Sequence, residues 1–198
     1  VDFDPGTVWI HLGLIGKFRF SEDFPPPNPD TLRLRITDGR LAADLRGPQW
    51  CRLITPGERE AVVTDSGPDP IRTDADPERA WAVVSRSRKS IAALLMDQKA
   101  FAGVGNIIKN EVLHRIRVHP ESRVGALSAR KLGELVAQAR EYSFDFLRWK
   151  KAHVLRKHYQ VHTRTVCPRD GQRLAYRKHL GLARRRAFFC ERCQRLYE

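Results

Sequence analysis

The sequence predicts an α+β chain in three stretches: antiparallel sheet, then helices, then a small cysteine-bearing hairpin at the C-terminus. Three observations carry that reading. The first seventy residues hold β-branched and aromatic runs and apolar–polar alternation, the mark of half-buried strands. From Pro77 the apolar period becomes helical. The last stretch holds three of the four cysteines, with ribbon-like spacing. At 198 residues the chain suits one large domain or two small ones, with a real hydrophobic core.

The elements follow in order. Residues 8–20, "VWIHLGLIGKFRF", read as two short strands around a tight turn at Gly13 and Gly16. "SEDFPPPNPD" is an exposed proline-rich loop. "TLRLRITDGRLAADLRG" alternates apolar and polar residues around "DGR", a hairpin turn, and "WCRLITP" is a further strand in which Cys51 reads as an ordinary half-buried thiol. "DSGPDPIRTDADP" has the composition of a linker. Asp76 is placed to cap the next helix, with Pro77 at its first position. Ser90 caps "SIAALLMDQKAF", and "NIIKNEVLHRI" forms a helix after a glycine turn. The long helix in "SARKLGELVAQAREYSFDFLRWKKAHVL" lines up Leu132, Leu135, Val136, Ala139 and Tyr142 on one stripe. The expected domains are 1–72, 73–160 and 161–198.

Charge narrows the partners. The formal net charge is +13. Residues through Ala80 carry a net −4 and the remainder a net +17. Such asymmetry is the footprint of a surface that meets a polyanion, with nucleic acid ahead of a merely solvated basic face or a membrane-surface patch. No apolar run approaches the roughly 18 residues of a membrane span. No signal peptide is visible, and clustered cysteines point to a reducing compartment.

Two motifs carry chemistry. Between two helices stands Gly103-Val104-Gly105-Asn106, where side chains are missing. Backbone N–H groups there can approach a phosphate, helped by the positive end of the next helix, and Asn106 can add a donor. The plain alternative is a helical hairpin that needs glycine for close packing. The second motif is C-x-x-D-x19-C-x-x-C, from Cys167 and Asp170 to Cys190 and Cys193. It is one cysteine short of a four-cysteine zinc ribbon. Asp170 is the favoured fourth ligand, His179 and His162 are competitors, and a metal-free ribbon with Cys167 as a buried thiol is the third reading.

"LLMDQKAFAGVGNIIKNEVLHRIRVHP" resembles the helix–two-turn–helix motif of the formamidopyrimidine-DNA glycosylase / endonuclease VIII family. "HLGLIGKF", "DLRGPQW", "GPDPIR" and the terminal ribbon agree in the same order, so the resemblance covers residues 8–198. It implies a partial antiparallel β-sandwich, a helix–two-turn–helix domain and a C-terminal zinc-ribbon-like β-hairpin. It implies base-excision repair of oxidised bases by a DNA glycosylase with AP lyase activity. The partner would be double-stranded DNA with a damaged base or abasic site, bound by a monomer in the bacterial cytoplasm at the nucleoid. Asn106 would hold phosphates beside the damaged nucleotide, with backbone donors from the Gly103–Gly105 turn. Leu14 would fill the gap left by a flipped nucleotide, as an apolar wedge replacing lost stacking. Arg46 would lie near helpers that face the orphaned base. Counting back from Cys190 in "LARRRAFFC", Arg185 matches an arginine that contacts phosphates around the lesion, a task suited to its planar fork.

The same resemblance implies an N-terminal proline amine as nucleophile, a neighbouring glutamate and a hairpin lysine. An α-amino group suits this because it is partly neutral near neutral pH. None of these is in the sequence, so a catalytic segment is expected to precede Val1, and no residue here is assigned to catalysis. A non-catalytic module that binds damaged or bent duplex is the alternative.

Overall fold

Asp38 makes the "DGR" turn: its Oδ1 accepts from the backbone N–H of Arg40 and of Leu41, each at 2.8 Å. The chain therefore reverses, and β4 (Leu32–Thr37) pairs antiparallel with β5 (Ala42–Arg46), as the alternation predicts. A computed structural model describes residues 1–3, 6–13, 15–22, 28–72, 77–181 and 184–198. They form two compact units, Val1–Thr64 and Asp65–Glu198.

The first unit holds two three-stranded antiparallel sheets. One runs in the order β1 (Asp2–Phe3), β2 (Gly6–His11), β6 (Trp50–Ile54); the other is β3 (Lys17–Ser21), β5, β4. "VWIHLGLIGKFRF" thus supplies two strands, but they do not pair as a hairpin. β2 pairs with β6 and β3 with β5, each across the proline-rich loop. Gly16 sits where the path bends: its N–H donates to Leu12 O at 2.8 Å, and a Cβ there would lie 2.2 Å from that oxygen. Only glycine tolerates so close a backbone approach.

The stretch after β6 differs from the sequence expectation of strand and then linker. Residues Pro56–Asp65 form a helix, α1. A capping box starts it: Thr55 N–H donates to Glu58 Oε2 at 2.7 Å and Glu58 N–H returns to Thr55 Oγ1 at 3.3 Å, with Pro56 in the first turn. None of its residues is buried, so no apolar stripe announced it.

The second unit contains α2 (Pro77–Ser85), α3 (Ile91–Leu95), α4 (Asn106–Arg115), α5 (Ala129–Lys151) and the hairpin β7 (Ala175–Leu180), β8 (Arg185–Phe189). Ser90 and Ser128 cap α3 and α5, accepting from Ala93 N and Lys131 N. Helix α3 ends earlier than its apolar run, because the chain winds into turns on Asp97, whose backbone oxygen accepts from Ala100 and Phe101. The expected stripe of α5 is the buried one: Leu132, Leu135, Ala139 and Tyr142 enter the core, with Val136 packed against it. The hairpin adds Leu180, Ala187 and Phe189 to that core, while Phe188 turns to a second small cluster around Cys167 and Cys190. This alternation seats the hairpin on α4. No helix among the described residues is long and apolar enough to cross a membrane.

Candidate nucleic-acid interface and metal centre

The glycine turn is built by a glutamine. Gln98 Oε1 accepts from Gly103 N–H at 2.9 Å, and its Nε2 donates to Val104 O at 3.1 Å. Gly103 has φ +78, a left-handed conformation in which side chains are strained. Gly105 is the N-cap of α4, and no described side chain caps that helix start. A Cβ at Gly105 would meet nothing within 4 Å, so the space over the first turn is open. Uncapped N–H groups in open space, at the positive end of a ten-residue helix, form a receptive surface for an anion.

Lys109, one turn along α4, joins this surface to the hairpin. Its Nζ donates to Asn106 Oδ1 at 2.8 Å and to Arg186 O at 3.0 Å. The lysine is 2% exposed, and burial together with the charge of Arg185 lowers it to about 8. Arg185 opens β8 as an exposed residue beside this lysine. Two motifs nearly eighty positions apart thus share one buried side chain. The sequence reading missed Lys109; a lysine amid the apolar residues of "NIIKNEVL" is the feature that could have found it.

The two remaining expected residues are Leu14 and Arg46. Leu14 lies outside the described residues. Arg46, in the first unit, is held internally: it donates to Asn28 O at 2.7 Å and to Thr31 Oγ1, and pairs with the buried Asp44 at 3.4 Å. Arg35 shares Asp44 through two bonds, of 2.6 and 2.9 Å.

The four predicted ligands come together. One ligand atom each from Cys167, Asp170, Cys190 and Cys193 lies within 4.8 Å of the other three. The Cys167 and Cys193 sulfurs are 3.8 Å apart, matching the edge of about 3.8 Å expected when thiolates surround an ion tetrahedrally at about 2.3 Å. The Cys190 thiol donates to Asp170 Oδ2 at 3.1 Å, so the carboxylate occupies the fourth corner. Burial pushes the Cys190 thiol up to about 12, so a cation is what would draw its proton off. This set can hold a metal ion. The competitors His162 and His179 are outside this cluster and bond elsewhere through Nδ1: Asn110 Nδ2 donates to His162 Nδ1 at 2.9 Å, and His179 Nδ1 contacts Arg184 O at 3.4 Å. A different histidine touches the set: His114, on α4, puts Nε2 3.5 Å from Cys167 Sγ. Arg169 adds a bond to Cys193 Sγ at 3.3 Å. Both orient ligands without completing the set.

Helix α4 also anchors the approach to the ribbon. Glu111, fully buried, accepts backbone N–H bonds from Gln160, Val161 and His162 at 2.9, 3.1 and 2.7 Å. His162 sits beneath Phe188, and burial, with Arg186 and Lys109 nearby, lowers its ring to about 4. A folded-state value below the usual one means the unfolded chain binds the extra proton between about pH 6.5 and about pH 4, so stability is lost as pH falls through that window. Between about pH 7.5 and pH 5 the wild-type protein should lose about 2 kcal/mol more than His162→Asn, which keeps an acceptor but does not titrate. Urea midpoints at both pH values check this. An equal acid loss in the two proteins would remove His162 as the cause.

Residues 66–144 match the family model described as the formamidopyrimidine-DNA glycosylase H2TH domain, which contains the glycine turn, α4 and Lys109. A protein of Mycobacterium tuberculosis named Endonuclease 8 1 is 44% identical over 119 residues, covering 58% of this chain and 44% of the relative. A formamidopyrimidine-DNA glycosylase of Shewanella is 31% identical over 148 residues, covering 71% and 54%. The chain therefore spans about half the length of the curated relatives it matches. In fold it is similar to the Lactococcus lactis formamidopyrimidine-DNA glycosylase solved with DNA containing an AP site, with TM-score 0.80 and 23% identity over 95% of this chain and 74% of that one. Residues 66–144 therefore form an H2TH domain of the kind found in formamidopyrimidine-DNA glycosylases.

Proposed function

We propose that this chain is the DNA-engaging part of a base-excision-repair DNA glycosylase with AP lyase activity, acting on oxidised bases in duplex DNA. One observation carries this reading: the open start of α4 at Gly105–Asn106 and the arginine-bearing strand β8 meet at Lys109, forming one cationic face. The net charge of +17 beyond Ala80 supplies the field that draws a duplex to it. Backbone donors at the helix start and the guanidinium of Arg185 would grip phosphates around a damaged base or abasic site. Leu14 would enter the stack, and Arg46 would lie near the helpers that face the orphaned base. Zinc suits the ribbon, since three sulfurs and one carboxylate are a ligand set that this ion accepts in tetrahedral array. Cys167, Asp170, Cys190 and Cys193 would hold it, and the ion would serve as a structural clamp at the foot of the arginine hairpin. The domains 1–72, 73–160 and 161–198 would correspond to sandwich, helix–two-turn–helix and ribbon.

Borohydride trapping on a duplex with an abasic site tests the reading, run with this chain and beside it with the complete product of the gene. A covalent adduct with the complete product supports the lyase. Binding without an adduct in either case would move the protein to the non-catalytic alternative. Affinity no greater than for undamaged duplex would remove lesion recognition altogether.

A further inference from the structure

We propose that Lys109 is a positioning residue. Its ammonium locks the side-chain amide of Asn106 with oxygen inward and nitrogen outward, and ties that amide to the backbone of the arginine strand. The inference rests on the phosphate-binding reading above and names what prepares that site.

The chemistry of the pair fixes the orientation. An ammonium has donors only, so the atom of Asn106 that faces Nζ at 2.8 Å must be the carbonyl oxygen. The amide NH2, with two donors, is then left to point away from Lys109, toward the open helix start. Without that partner the amide could turn over and present its oxygen to an anion, which would repel it. The second bond of Nζ, to Arg186 O at 3.0 Å, sets the distance between that amide and β8. A phosphate would then meet donors from both motifs at a separation decided before binding, the condition for low ordering cost.

The charge balance points the same way. Lys109 is buried, yet the acceptors of its two bonds, Asn106 Oδ1 and Arg186 O, are neutral oxygens. Among the described residues, the titratable groups that act on it or feel it are Arg185 on β8 and His162 from the segment before the ribbon, neither of them an anion. A buried cation without an anionic partner is costly for a merely structural tie. Here the anion is the one that the ligand brings.

A double-mutant cycle tests this, with affinity for a duplex carrying a tetrahydrofuran abasic analogue measured by fluorescence anisotropy at fixed salt. Lys109→Met should weaken binding about tenfold in the wild-type background and about twofold or less in the Asn106→Ala background. Its unfolding temperature should stay close to wild type, because an apolar side chain of similar length suits the buried site. Lys109→Gln, which restores a donor toward Asn106, should recover part of the affinity; it also replaces the Met variant if that variant does not fold. Equal losses in both backgrounds, or wild-type affinity in both Lys109 variants, would overturn the role of Lys109 while leaving the interface standing. If Asn106→Ala alone binds as tightly as wild type, the interface reading itself fails.

Discussion

Cys190→Ser is expected to release metal from the ribbon and to lower stability by about 3 kcal/mol or more, since binding of a structural ion is itself folding free energy. The position is severe because Cys190 is fully buried and tied at both ends. Its sulfur faces Asp170, and its N–H donates to Gln194 Oε1 at 2.8 Å. Gln194, also buried, donates onward to Val118 O at 2.9 Å, so loss at the cluster reaches the core beneath α4. Asp170→Cys should act in the opposite direction and hold zinc more tightly, because a fourth thiolate replaces a harder oxygen. Metal content by elemental analysis and thermal unfolding check both. One zinc per chain with unchanged melting in Cys190→Ser would sink the four-residue site.

Asn106→Ala and Arg185→Ala should both weaken duplex binding, but with different salt signatures. Asn106 is neutral, so its loss should cost about tenfold in affinity with little change in the slope against salt. Arg185 carries a full charge and stands exposed on β8, so its loss should reduce the slope by about one as well. The logic is counterion release: only a cation that neutralises a phosphate frees an ion to solution. Titrations at several salt concentrations separate the two. Affinity and slope unchanged from wild type in both variants would remove this face from DNA binding.

Much of this was local in character and therefore readable along the chain. The alternation around "DGR", the Ser90 cap of α3 and the stripe of α5 each depend on neighbours within a few residues, and each stands as expected. Helix α1 was equally readable, because T-P-G-E is a capping box with proline at the first position. An exposed helix has no apolar stripe, so its periodicity carries no signal.

By itself the sequence determined the three-part order, the spacing of the cysteine–aspartate cluster and the glycine turn before α4. Each is a pattern of spacing, and spacing constrains turns, periods and ligand reach before any long-range contact forms. Only the tertiary structure decided which strands pair across the proline-rich loop, that Arg46 spends its donors on Asn28, Thr31 and Asp44, and that His114 rather than His162 or His179 touches the cluster. It alone placed Lys109 between Asn106 and Arg186. These pairings join residues far apart along the chain, and they are settled by which apolar faces are buried together: the seating of Phe189 and Leu180 in the helical core is what carries the arginine strand to the start of α4.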